Sequence, residues 1–256
     1  MALLRPVSLA VLFALAAAPA AAWTPRTRAQ MADEAIRLMP ASLRLALEHH
    51  RDPLLRGMLE PMSGEDGATH RPPSHGGSLD AEVAVRAAAL VKSVESAAGF
   101  DEVARSFGAL AHFVADAGFP PGAAGAAGVA RYADFAAFCE SRRPRIPLVF
   151  YGWDDDDLAR GDFAAFSRRV LERARREFPN LERAYAAAGN PPDPAAFDDR
   201  SVPFAVASLS YSQTVTDIAR AWLAAWRVAH GDLGRVPYRG KGEAPHDGGD
   251  REERKP

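Results

Sequence analysis

Hydrophobic residues recur at helical spacing along most of the chain, from residue 30 to residue 228. Alanine, leucine, arginine and glutamate, which favour helices, fill this pattern, and runs of alternating β-branched residues are few. The pattern predicts the all-α fold class, with a single multi-helix domain. The predicted helices cover residues 31–39, 41–50, 52–59, 79–98, 101–117, 132–141, 163–178 and 202–229.

Breaks in the pattern fall at residues that end or begin helices. Pro40 separates the first two predicted helices, and Gly99 ends one helix before Asp101 caps the next. Residues 61–78, 120–128 and 189–200 are rich in glycine and proline and are predicted to be loops.

The two ends of the chain differ in composition from the middle. Residues 1–22 carry Arg5, a short apolar run and three alanines, the pattern of a secretory signal peptide whose removal leaves Trp23 first. Residues 231–256 combine glycine, proline and mixed charge, which predicts a disordered tail. We therefore expect a secreted or periplasmic protein with its domain at residues 23–230 and no transmembrane anchor.

Charge and cysteine content narrow the possible functions. Lys+Arg of 31 against Asp+Glu of 33 gives a net charge of −2, so no strong electrostatic signal for nucleic-acid binding is present. Cys139 is the single cysteine, which excludes an internal disulfide even in an oxidising compartment. Stability must then come from packing of the helices.

One predicted helix carries a pair of residues able to bind a metal. His112 and Asp116 are four residues apart, so they lie on one face of the helix. Histidine nitrogen and aspartate oxygen are common zinc ligands. The same spacing is also common in a simple hydrogen-bonded pair, so it indicates a metal site only together with further ligands.

The chain resembles the superfamily of zinc-dependent phospholipases C and single-strand-specific nucleases. The resemblance is carried by Trp23, by His112, Asp116 and Pro120 in register, by residues 107–111 before them and by a closing helix at residues 208–226. It implies an all-α phospholipase C/nuclease-like domain whose N-terminal tryptophan helps to bind clustered zinc ions. The implied activity is metal-dependent hydrolysis of a phosphoester substrate.

The resemblance also implies further ligands for the zinc shared by His112 and Asp116. Glu60 stands where the family has a carboxylate, and the additional histidine is either His70 or His75. In the family the free amino group and carbonyl of an N-terminal tryptophan bind one of three clustered zinc ions, and here that residue would be Trp23. One zinc ion is thus the expected cofactor.

Several positions depart from the family pattern. Gly122, Val129 and Ala133 stand where ligands of a second zinc are expected, and a histidine expected soon after Trp23 is missing. Because the family's chemistry depends on clustered metals, we expect at most one zinc site with weak or altered phosphoesterase-like activity. The alternative is a non-catalytic exported binding or scaffold protein on the same fold.

Overall fold

The computed structural model describes residues 22–64, 67–189 and 197–233. Most of the predicted signal peptide and of the predicted tail therefore lies outside the described residues. Within them the regular structure is helical, which confirms the all-α prediction. The α-helices are α1 (Pro25–Leu38), α2 (Ala41–His49), α3 (Arg51–Leu59), α4 (Pro61–Gly64), α5 (Leu79–Glu95), α6 (Phe100–Ala117), α7 (Pro120–Ala123), α8 (Tyr132–Arg142), α9 (Asp156–Ala159), α10 (Phe163–Ala187) and α11 (Val202–Val228).

Two helices extend by more than one residue beyond their predicted limits. Helix α1 begins at Pro25, because the Thr24 side chain accepts a hydrogen bond from the Thr27 N–H and proline suits the first turn. Helix α10 continues through Pro179, although a proline inside a helix removes a hydrogen bond. Burial of Leu181 and Tyr185 in the following turns offsets that loss.

Helix α6 is the centre of the fold. It packs against α3, α5 and α11 and also contacts α1 and α10. Two tryptophans donate their indole N–H groups to its backbone, Trp222 to the Phe107 carbonyl at 2.8 Å and Trp23 to the Ala115 carbonyl at 2.9 Å. Both indoles are fully buried, so they anchor the last and the first parts of the domain to α6.

Helices α3 and α6 cross at unusually short distance through two glycines. A Cβ at Gly108 would lie 1.9 Å from the Leu54 carbonyl oxygen, and one at Gly57 would lie 2.0 Å from the Arg105 carbonyl oxygen. Neither position has room for a side chain. This crossing brings the backbone of Met58 next to α6.

Between α8 and α9 the chain forms an extended segment, residues 146–153, which we call the strap. It lies along α11, where the Val149 and Tyr151 N–H groups donate to Ser212 and Thr216 hydroxyls, each at 3.2 Å. Arg220 of α11 donates to the Tyr151 and Gly152 carbonyls.

In the described part of the chain, no helix is long and apolar enough to cross a membrane.

A candidate metal centre

Three side chains with metal-ligating atoms meet beside the middle of the fold. The Nδ1 of His70 lies 2.6 Å from Oδ2 of Asp116 and 3.4 Å from Nε2 of His112. The distance from His112 Nε2 to Asp116 Oδ2 is 3.3 Å. Among the residues that the structure describes, this is the one group of three or more histidine, cysteine or acidic side chains arranged to hold a metal.

Helix α6 and one loop supply these groups. His112 and Asp116 project from the same face of α6 and are 1% and 5% exposed. His70 comes from the loop before α5, where the Ser78 N–H donates to the Ala68 carbonyl and closes the loop on itself. The ring of His70 stacks on Phe113 at 5.1 Å and is 22% exposed, so the cluster meets solvent on the His70 side.

The ring orientation of His112 is set by backbone groups. Its Nδ1 lies 2.8 Å from the Met58 carbonyl, which can only accept, so Nδ1 carries the proton. Arg28 Nη1 lies 3.3 Å from the same nitrogen and instead donates to the His112 carbonyl at 3.1 Å. The Nε2 lone pair therefore faces His70 and Asp116, the arrangement normally found in metal-binding histidines.

A buried arginine completes the cluster. Arg28 of α1 is 1% exposed, and its Nη2 pairs with Oδ1 of Asp116. Its Nε donates to the Trp23 carbonyl at 3.1 Å. The guanidinium thus joins Trp23 to His112 and Asp116, and it leaves Oδ2 of Asp116 facing the two histidines.

The charges around the cluster keep its groups in the forms that bind metals. Burial and the positive charge of Arg28 lower the pKa of His112, so its ring is neutral. Burial alone would raise the pKa of Asp116, but the positive charge of Arg28 holds it well below the ordinary value. A neutral imidazole and an ionised carboxylate are the ligand forms that zinc requires.

Trp23 lies beside the cluster, and its carbonyl accepts a hydrogen bond from Arg28. The indole is fully buried and packs against Phe119 and Tyr211 at ring-centre distances of 5.0 and 6.4 Å. Arg28 occupies the space between the Trp23 carbonyl and Asp116. A guanidinium therefore stands between the two groups that the family resemblance assigns to a shared metal ion.

Glu60 and His75, the other predicted ligands, are not members of the cluster. The Glu60 carboxylate is 56% exposed and lies 3.6 Å from Arg105. The exposed His75 ring has its Nδ1 2.9 Å from the Ser74 hydroxyl and lies close to Gly125. Of the two histidines left open by the sequence, His70 is the one that the fold brings to His112.

The region of the missing second site is filled by a tyrosine. A Cβ at Gly122 would lie 3.1 Å from the Tyr132 hydroxyl oxygen, so little space remains there for a longer side chain. Burial, with the negative charge of Asp116 adding to it, raises the pKa of Tyr132 to about 12. Val129 is 59% exposed, and neither it nor Ala133 carries a ligating atom.

The geometry of the three donor atoms fits one tetrahedral zinc. Bonds of 2.0–2.1 Å to nitrogen and oxygen place any two ligand atoms about 3.3–3.4 Å apart. Two of the three observed separations, 3.4 and 3.3 Å, already have this length. The third, 2.6 Å, is a hydrogen bond that must lengthen by about 0.7 Å. The required movement is small and falls on His70, the most exposed member.

Arg28 is the residue of this site that the sequence analysis did not identify as part of it. Its signal was present in the pattern of α1, because Arg28 precedes Met31 and Ala32 by three and four positions on the buried face. A permanent charge on an apolar face calls for a buried partner of opposite charge. The Met58 carbonyl carries no such signal, since any residue supplies a carbonyl.

No protein-family model matches this chain, and no curated protein matches it either. The family resemblance therefore stays a prediction.

Proposed function

We propose that this protein binds one zinc ion through His70, His112 and Asp116 and uses it for weak hydrolysis of phosphoesters. The observation that carries the proposal is the convergence of three donor atoms from two separate chain segments, with the His112 lone pair directed at the other two. A chance contact would not need the Met58 carbonyl to fix the ring. This arrangement is what a metal site requires of its surrounding groups.

Three protein ligands favour a catalytic type of zinc site. Such a site leaves a fourth position for water, and a bound zinc would lower the pKa of that water and polarise a phosphoryl oxygen. Asp116 is held by Arg28 and His112 by Met58, so neither can swing away. The 22% exposure of His70 places the open side of the cluster toward solvent, where a small phosphoester could approach.

Only weak activity is expected from these residues. Gly122, Val129 and Ala133 provide no ligand for a second ion, and Arg28 is already engaged with Asp116, His112 and Trp23. Charge that develops on the phosphoryl group would thus be stabilised at one point instead of several. Loss of such stabilisation typically costs a factor of 10² to 10³ in rate for each donor.

Replacing His70 by alanine is expected to weaken zinc binding at least about 100-fold, since it removes one of three ligands. The matched control is His75→Ala, which removes a histidine from the same loop without touching the cluster. Zinc per chain, measured by elemental analysis after dialysis against a competing chelator, should fall from one to near zero only in His70→Ala. Equal zinc in both variants would refute the assigned ligands.

The catalytic half of the proposal has its own measurement. Hydrolysis of a chromogenic phosphodiester should disappear with chelator, return with zinc and be absent in His70→Ala. If the protein binds one zinc and shows no hydrolysis of phosphomonoesters or phosphodiesters, the metal site stands and the hydrolase assignment is wrong. The 1% and 5% exposure of His112 and Asp116 favours that second candidate, a non-catalytic binding or scaffold protein with a structural metal.

We also propose export to the periplasm or the exterior, with cleavage between Ala22 and Trp23. N-terminal sequencing of the mature protein should then begin at tryptophan. Because the Trp23 indole is fully buried and hydrogen-bonded to Ala115, cleavage one residue later would remove a core side chain and destabilise the protein. A mature protein that starts at Thr24 would contradict this assignment.

A further inference from the structure

Arg28 places a fixed positive charge inside the candidate metal centre. Its Nη2 pairs with Oδ1 of Asp116, and its side chain is 1% exposed. The other two nitrogens donate to backbone carbonyls, Nε to Trp23 at 3.1 Å and Nη1 to His112 at 3.1 Å. An arginine side chain does not lose its proton in a folded protein. Because the guanidinium is buried and held at three points, its charge stays at the centre and is little screened by water.

The ligands of the centre supply only one negative charge. Asp116 is the one acidic side chain of the cluster, and His70 and His112 bind a metal as neutral rings. The charge of Asp116 is already balanced by Arg28. Glu60, which the sequence predicted as a second carboxylate ligand, is 56% exposed and lies outside the cluster. Within the described part of the chain, the cluster and Arg28 together therefore carry no net charge before a metal binds.

This charge balance decides which anion completes the centre once zinc is bound. Zinc brings two positive charges, and a net charge is costly where water cannot surround it. With Asp116 alone, one further negative charge would neutralise the centre. With Arg28 present, two are needed. The phosphoryl group of inorganic phosphate or of a phosphomonoester supplies two negative charges, whereas that of a phosphodiester supplies one.

We infer that the zinc-loaded centre takes a phosphoryl dianion, and that Arg28 sets its preference for this group over a phosphodiester. This preference rests on the proposed function and narrows the substrate to phosphomonoesters. The anion has its way in on the His70 side, where that ring is 22% exposed. Arg28 pairs with Oδ1 of Asp116, while Oδ2 faces His70, so the guanidinium acts on the anion through its charge and not by contact.

Binding of small anions to the zinc-loaded protein measures this preference without any need for hydrolysis. At about pH 8, where a phosphoryl group with two ionisable oxygens is mostly a dianion, inorganic phosphate and phenyl phosphate should each bind at least about tenfold more tightly than dimethyl phosphate. Isothermal titration calorimetry gives the three affinities, and chelation of the zinc should abolish all three. Equal affinity for phosphate and dimethyl phosphate would overturn the inference. Binding of inorganic phosphate without phenyl phosphate would overturn the assignment to phosphomonoesters.

Two substitutions separate the charge of Arg28 from its hydrogen bonds. Arg28→Met removes the charge and should reduce the preference for the dianion about tenfold, whereas Arg28→Lys keeps a positive charge and should retain most of it. Arg51→Met is the surface control, since that side chain is 43% exposed and pairs with Asp33. If Arg28→Met does not fold, the wild-type titrations still decide. Equal preference in the Met and Lys variants would show that the charge of Arg28 does not set it.

The results for zinc and for the anion can be told apart. A wild-type chain that binds no zinc overturns the proposed site and the dianion preference together. A chain that binds one zinc and does not distinguish the anions keeps the site and overturns the preference. Zinc-dependent binding of phosphate and phenyl phosphate without hydrolysis supports the preference and shows the hydrolase assignment to be wrong.

Discussion

Replacing Arg28 by methionine is expected to lower the free energy of unfolding by about 3–5 kcal/mol in chelator-treated protein. The guanidinium is 1% exposed and neutralises Asp116, which is itself almost fully buried. Methionine fills much of the same volume but leaves the Asp116 carboxylate in the core without its guanidinium partner, and it also removes the donors to the Trp23 and His112 carbonyls. Urea unfolding followed by circular dichroism measures the loss.

A surface arginine provides the control for this experiment. Arg51 makes two hydrogen bonds to Asp33, at 2.7 and 2.9 Å, but its side chain is 43% exposed. Arg51→Met should therefore cost about 1 kcal/mol or less. The double variant Arg28→Met with Asp116→Leu should recover part of the loss, because no charge then remains buried. If Arg28→Met costs no more than Arg51→Met, the buried pair does not have the role assigned to it.

Replacing Gly108 by alanine is expected to destabilise the protein by about 3 kcal/mol or more, the upper range for overpacked cores. The added Cβ would meet the Leu54 carbonyl oxygen at 1.9 Å and the Met58 nitrogen at 2.7 Å. Backbone atoms of a packed helix cannot rotate away as a side chain does, so α3 must move as a body. Thermal unfolding of the purified variant gives the magnitude.

The same substitution should also weaken zinc binding, because Met58 belongs to the helix that must move. Its carbonyl holds the proton on Nδ1 of His112 and so directs the opposite nitrogen to the ligand cluster. The control is Gly99→Ala at the N-cap of α6, the helix that carries Gly108. Nothing lies within 4 Å of the Cβ that this variant adds. It should cost about 1 kcal/mol or less and leave zinc affinity unchanged. A Gly108→Ala protein as stable as the wild type would contradict the close approach of α3 and α6 at this position.

Local patterns in the sequence predict most of the helices, because each helix carries its own apolar face and end signals. Helices α2 and α3 match their predicted limits to within one residue. The end of α10 could not be found in this way. Pro179 is a local signal to stop, whereas Leu181 and Tyr185 favour continuation through contacts with distant parts of the fold. Tertiary packing overrides the local preference there.

The residues of the candidate site also differ in whether local sequence patterns predict them. His112 and Asp116 are predictable because helical spacing fixes them on one face. His70 and His75 lie on one loop, and only its path, closed by hydrogen bonds near Ala68, decides which ring reaches α6. Glu60 was predicted as a ligand from its residue type and its position in the chain, but its carboxylate lies beside Arg105 and outside the cluster. Spacing and composition do not predict which distant residues the fold brings together.

The burial of Trp23 determines when the core can form during synthesis. The Trp23 indole lies in the core with its ring centre 6.4 Å from that of Tyr211 in α11. The core around Trp23 is therefore complete only after α11 has been synthesised. Synthesis proceeds at about 5–20 residues per second, which delays α11 behind Trp23 by on the order of ten seconds or more. For that interval the nascent chain cannot close its core. A chain that stays open for this interval is compatible with the export that we propose.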